Sequence, residues 1–190
     1  MEQKEHTEQK KKARKTRADA QKNRQRILEV AAQAFDEKGV EVPMETIAKR
    51  AGVGAGTLYR HFPNREALVA AVLAEKEEAA ILAADAAGTN SLECLFAQVH
   101  ALGQWFGTYK GLTEPMRSAV SQTTSPLGMQ CHDVISVLDD LIQQAREDGY
   151  IRPGVTGRDI YLLTLGTAWA AQHVDDPEPL YELMAHGWMA

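Results

Sequence analysis

A chain of 190 residues, 44% hydrophobic and 25% charged, can bury a sizeable core, which excludes wholesale disorder. It shows no apolar run near the roughly 18 residues that cross a bilayer, and its polar start, with Lys10, Lys11, Lys12, Arg14, Lys15 and Arg17, lacks the apolar stretch of a secretory signal. Membrane association is therefore not expected, and the chain is expected in the cytoplasm.

The net charge of −5 is spread unevenly: residues 1–65 hold 15 Lys and Arg against 9 Asp and Glu, whereas residues 66–190 hold 6 against 17. A basic head on an acidic body suits a nucleic-acid reader, since the head neutralises phosphates while the body is repelled by them. A solvated Lys-rich tail on a protein that never meets DNA would carry the same charge.

In chain order, residues 1–22 are polar and without apolar periodicity, and are expected to form a basic mobile arm. From about Asn23, Ile27, Leu28, Ala31, Ala34 and Phe35 repeat with the spacing of one apolar helix face, and Gly39 closes that helix. Pro43 opens a short helix, Met44 to Ala51. Gly52-Val53-Gly54 makes a turn, and Ala55 to Phe62 forms a second short helix with Leu58 and Phe62 inward. Two short helices across a glycine-bearing turn are the helix-turn-helix plan, and 23–68 is read as a DNA-binding domain.

Asn64 caps a fourth helix through Leu68, Val69, Val72 and Leu73, which runs into an alanine-rich stretch to Ala87; Gly88-Thr89-Asn90 then breaks the chain. Five further helices follow. One runs from Ser91 through Trp105, a short one spans Thr113 to Ser121, and a long one starts at Ser125-Pro126 and stops at Gly149. The fourth opens on Thr156 with Asp159 in capping-box order, and the last starts at Asp176-Pro177. No segment reads as a strand. The fold is expected to be all-α, about nine helices, with residues 69–190 as a sensing and dimerisation domain.

The string Thr46-Ile47-Ala48-Lys49-Arg50-Ala51-Gly52-Val53-Gly54-Ala55-Gly56-Thr57-Leu58-Tyr59-Arg60-His61-Phe62, continuing through Pro63-Asn64-Arg65 to Leu68, resembles the signature of the tetracycline-repressor (TetR) family. With the helix before it, the match covers about 45 of the 190 residues; beyond that only helix number and length agree. The resemblance implies a homodimer on a palindromic double-stranded operator, the second motif helix lying in the major groove. It also implies a small-molecule effector, of unknown identity, whose binding parts the two heads and releases the DNA.

Carried onto this chain, the resemblance makes Tyr59, His61, Arg65 and Thr46 phosphate contacts. It gives base reading to Ala55, Gly56, Thr57 and Arg60, with Glu45 able to accept from a cytosine amino group. Arg65 stands where the family usually has lysine. Gly54 stands where it often has a serine cap, a change worth only a few tenths of a kcal/mol in capping. Independently of family, the small residues Ala55 and Gly56 let the backbone of the recognition helix approach a duplex closely.

Large, soft or polar side chains on otherwise apolar helices mark candidate pocket residues: His100, Trp105, Phe106, Tyr109, Met116, Met129, His132, Trp169 and His173. Ordinary core packing is the stronger explanation for each of them. Gly166, Ala168, Ala170 and Ala171, with Leu180, Leu183 and Trp188, are candidates for the dimer interface or for packing within the subunit. The sequence calls for no cofactor and no metal. Cys131-His132-Asp133 are adjacent and diverge on a helix, and Cys94 stands apart from Cys131, so neither thiol belongs to a ligand cluster. No nucleophile–base pairing or phosphate loop points to an enzyme. A DNA-binding protein without an effector, constitutive or partner-regulated, is the competing reading.

Overall fold

The computed structural model describes residues 2–74 and 89–190. It holds α1 (Glu2–Lys38), α2 (Met44–Arg50), α3 (Ala55–His61), α4 (65–74 in its described part), α5 (Ser91–Gly107), α6 (Thr113–Ala119), α7 (Pro126–Glu147), α8 (Gly157–Ala171) and α9 (Glu178–His186). Among the described residues there is no strand, only one isolated bridge joining Ile151 to Met189. The alanine-rich continuation of α4 and Gly88 lie outside the described residues.

The capping chemistry sets the helix starts. Ser125 accepts from the Gly128 amide ahead of Pro126, and Thr156 and Asp159 form a reciprocal capping box that satisfies two otherwise orphaned amides of α8. α5 starts at Ser91 and is capped by Asn90, whose carboxamide accepts from the Glu93 amide. The last helix starts at Glu178 behind Pro177.

One element differs in kind. α1 reaches back to Glu2, where an irregular arm was expected over residues 1–22. The expectation weighed only the missing apolar periodicity. The segment is rich in Glu, Gln, Lys, Arg and Ala and contains neither Gly nor Pro, so each residue extends the helix at little cost. The buried Ile27, Leu28, Ala31 and Phe35 supply the nucleus that such a segment lacks alone.

In the head, α1, α2 and α3 close over Ile47, Ala48, Leu58 and Phe62, with Leu68 from α4 completing the core. In the body, α5, α7 and α8 form the central packing, α6 lies against α7 and α8, and α9 packs on α8. Head and body meet at a joint. The Val40 amide donates to the Lys110 carbonyl at 3.0 Å, the Phe35 ring meets Tyr109 edge-on at 5.7 Å, and Gln130 on α7 donates to the Ala70 carbonyl on α4 at 3.0 Å.

Candidate nucleic-acid interface

The turn between α2 and α3 is built by backbone geometry. Gly52 adopts φ 66°, the left-handed conformation that lets the chain reverse, and the Val53 amide returns to the Ala48 carbonyl at 3.0 Å. Gly54, with extended backbone, opens α3 without a side-chain cap. Leu58 and Phe62 anchor α3 in the core, which turns Ala55, Gly56, Tyr59 and Arg60 to solvent and leaves Thr57 and His61 half-buried. Thr46 is half-buried in the first turn of α2. Small side chains at the start of α3 with larger polar ones after it make a surface on which a duplex can lie close to backbone.

The polar groups of that surface are already organised. The Tyr59 hydroxyl donates to Glu45 Oε1 at 3.2 Å, tying α3 to α2. Desolvation, and then this hydrogen bond, raise the Tyr59 phenol above its ordinary value, so it keeps its proton as a donor. Arg60 folds back on its own helix, Nε to the Gly56 carbonyl at 3.1 Å and Nη2 to Thr57 Oγ1 at 3.2 Å. The Arg24 guanidinium lies over the Phe62 ring, 5.4 Å from its centre, at the C-terminal end of α3. Nothing in the sequence pattern singled out Arg24; only the fold brings α1 to that point.

Arg65 has a structural tie within the head. Its Nη1 donates to the Val40 and Val42 carbonyls at 2.5 and 2.6 Å, clamping the α1–α2 loop to the start of α4. Sequence spacing could not show this, since the partners lie 25 and 23 positions away. Beside it, the Asn64 carboxamide caps α4 as expected, accepting from the Ala67 amide at 2.8 Å.

The nine pocket candidates do not converge among the described residues. Trp105, Phe106, Tyr109 and Met116 are core, with Phe106 edge-on to Tyr161 and the Tyr161 hydroxyl donating to Cys131 Sγ at 3.0 Å. Met129 and His132 on α7 are exposed, as are Trp169 and His173, whose rings meet 5.0 Å apart. Trp169 lines an open groove of roughly 400 Å³ with Thr113, Glu114, Arg117 and Leu162. His100 lies in another, roughly 340 Å³, between α5 and α9, where its Nε2 is 3.7 Å from Glu178 Oε2. Spacing marks one face of one helix; it does not mark which faces of different helices share a space. Trp105 Nε1 and Gln130 Oε1 are buried with no hydrogen-bond partner among the described residues. No group of three or more His, Cys, Asp or Glu there could hold a metal.

Of the interface candidates, Ala168 and Trp188 are buried within the subunit, and Ala170, Ala171 and Leu180 are half-buried. Gly166 and Leu183 are exposed, Leu183 to 71%. Also exposed are Leu163 on α8, which shares a helix face with Thr167 and Ala170, and Val174 just beyond the end of that helix, to 47% and 45%.

The model for bacterial regulatory proteins of the tetR family matches residues 27–72, and that for the C-terminal domain of SbtR-like transcriptional regulators matches residues 90–187. An HTH-type transcriptional regulator of Staphylococcus aureus (strain USA300) is 57% identical over 53 residues, 27% of this chain and 29% of that protein, so the chain matches less than a third of that relative's length. The crystal structure of the TetR transcriptional regulator SCO0520 from Streptomyces coelicolor superposes with a TM-score of 0.56 at 29% identity, covering 87% of this chain and 98% of that one. The ketosteroid transcriptional regulator KstR2 of Mycobacterium tuberculosis shares the fold, with a TM-score of 0.57 at 22% identity over 88% and 95% of the two chains.

Proposed function

This chain belongs to the tetR family of bacterial regulatory proteins and is a DNA-binding transcriptional regulator, and on that premise we propose that it is a cytoplasmic homodimeric repressor released from a palindromic operator by a small molecule. The observation that carries the DNA-binding half is the exposed outer face of α3, small at its start and ordered by the Tyr59–Glu45 and Arg60–Thr57 contacts beyond. In this reading Ala55, Gly56, Thr57 and Arg60 meet base edges, and Thr46, Tyr59 and His61 meet phosphates. Arg65 keeps one guanidinium nitrogen on the loop and presents the remainder toward the backbone of the duplex.

The effector half rests on the buried polar atoms. Trp105 Nε1 on α5 and Gln130 Oε1 on α7 are donor and acceptor groups that a small polar ligand would satisfy. The Phe106 ring, 5.4 Å from that of Trp105, and the apolar core they belong to favour a largely hydrophobic molecule with one or two polar atoms.

The test is selection of genomic fragments by the purified protein at a stated salt concentration. The expected product is a near-palindrome whose half-sites lie about 34 Å apart or modestly more. A monomer with no enriched site would sink the reading. An enriched site whose affinity no small molecule changes, across candidates suggested by the neighbouring genes, would favour the effector-free alternative. On the selected site, Tyr59→Phe should weaken binding alike across sequence variants, by roughly five- to tenfold for the removal of a hydrogen bond of about 1–1.5 kcal/mol. Thr57→Ala should instead change which bases are preferred. Unaltered preference for Thr57→Ala in a repeated selection would remove that residue from base reading.

A further inference from the structure

A carboxylate stands on the face that would meet a polyanion. Glu45, exposed in the first turn of α2, accepts from the Tyr59 hydroxyl on the exposed side of α3, with Oε1 3.2 Å from the phenol oxygen. α3 carries no acidic residue of its own, so this bond brings the negative charge to it from α2. An acid in the first turn favours a helix through its dipole, but any solvent-facing orientation would serve that purpose equally. The reach across to α3 asks for a further reason. A phenol has a single O–H to donate. Here the carboxylate holds it, and desolvation followed by this bond keeps the phenol protonated. A phosphate oxygen arriving at Tyr59 competes for that same proton. When the phosphate takes it, Glu45 is left without its donor and with a second anion a few ångströms away.

We propose that Glu45 is a specificity-determining residue, which withholds the Tyr59 hydroxyl from a duplex until a cytosine amino group gives the carboxylate another donor. On such a site each hydrogen bond of the free protein is exchanged for one in the complex: Tyr59 passes to a phosphate and Glu45 to the cytosine N4 amino group. Adenine offers an amino group too, but beside its N7 acceptor, which a carboxylate cannot satisfy. On other sequences the exchange is incomplete. Either Tyr59 stays with Glu45 and its phosphate contact is forfeited, or the carboxylate loses its partner beside the phosphates. Discrimination then comes from the penalty on the wrong duplex as much as from attraction to the right one. Both side chains are exposed, so the exchange needs no movement of the helices that carry them. This role rests on the DNA-binding reading above and adds a residue of α2 to the base contacts proposed for α3.

The test is selection from a randomised duplex library by the full chain and by Glu45→Gln, followed by titration of a selected duplex and a random-sequence duplex over a range of salt. Glutamine keeps an acceptor for Tyr59 and removes the charge. The unaltered protein should enrich a cytosine at one position of each half-site, and Glu45→Gln should lose that preference. The variant should bind the random duplex more tightly, with the slope of log affinity against log salt steeper by up to about 0.9, because one cationic charge is no longer offset. Its ratio of selected to random affinity should fall by at least about fivefold, the low end of what one mismatched base pair costs. In Tyr59→Phe the hold is absent, so adding Glu45→Gln there should raise random-duplex affinity by less than it does with the tyrosine present. An equal gain in both backgrounds would show plain repulsion and overturn the hold on Tyr59. Retained cytosine preference in Glu45→Gln, or equal gains on both duplexes, would overturn the specificity role. So would weaker binding to both duplexes alike, the result expected if the carboxylate serves to brace α2 against α3. Failure of the unaltered protein to enrich any duplex would remove the DNA-binding reading itself, whereas enrichment that does not depend on Glu45 removes this role alone. Thermal unfolding of each variant close to that of the unaltered protein checks that the head is intact.

Discussion

Gly39→Ala should cost about 2–4 kcal/mol of stability, seen as a lowered midpoint in urea or thermal unfolding. Two independent effects coincide there. The residue sits at φ 81°, a left-handed conformation that strains any side chain. A β-carbon would also run into the Lys110 carbonyl oxygen and crowd the Lys110 β-carbon. That carbonyl accepts the Val40 amide, and the Val40 carbonyl in turn accepts from Arg65 at the foot of α4. One added methyl group therefore pushes apart the joint of head and body and the clamp that seats the recognition unit. Gly52→Ala is the natural comparison, since it has φ 66° with no atom within 4 Å of the added carbon. It should cost only about 1 kcal/mol, the strain alone. If the two variants lose equal stability, the crowding at Lys110 contributes nothing and the joint is looser than the hydrogen bonds indicate.

The contrast between those glycines also marks how far sequence carries. Gly52 and Gly39 are legible as helix-ending glycines because the local chain demands a reversal, and both indeed hold positive φ. The capping box at Thr156 and Asp159 and the Ser125-Pro126 start are legible for the same reason, being contacts within three residues. The order of helices and the face of α3 turned outward follow from periodicity alone. What periodicity cannot carry is contact between elements. Arg65 looks like a free cation beside the motif, and the structure sets its Nη1 on two carbonyls of a loop more than twenty residues earlier. His100 and Trp169 sit on helices with similar apolar patterns, yet line different grooves. Trp188 reads as a candidate for the interface or for packing within the subunit, and it is buried in its own subunit with its ring 5.3 Å from that of Phe96 and its carbonyl accepting from the Arg152 amide. The first 22 residues escape the pattern for another reason: their helix is decided by propensity and by a nucleus downstream, neither of which an apolar repeat reports.

Leu163→Glu/Leu183→Glu should convert a dimer into a monomer and reduce affinity for a two-half-site duplex by about 10²–10⁴-fold, with binding to a single half-site nearly unchanged. The stripe Leu163, Thr167 and Ala170 runs along α8 at helical spacing, Val174 follows just past its end, and Leu183 stands on the adjacent α9. Leu183 is exposed to 71%, an unusual place for a leucine with apolar neighbours on the next helix. Small residues in the middle of the stripe would let a second α8 approach closely, and the flanking leucines would fill the space between four helices. A carboxylate at each leucine cannot be buried against its symmetry mate, because a two-fold axis brings like charges together as well as removing them from water. The expected drop is large because two heads on one dimer bind the second half-site as an intramolecular step, and the monomer forfeits that advantage entirely. Sedimentation and titration on one- and two-site duplexes separate the outcomes. A double variant that stays dimeric would move the interface to the other exposed side of α8, where Leu162, Gly166 and Trp169 lie. A monomer that still binds two-site DNA as tightly would instead show that the heads do not act as a pair, and the palindromic operator would lose its physical basis.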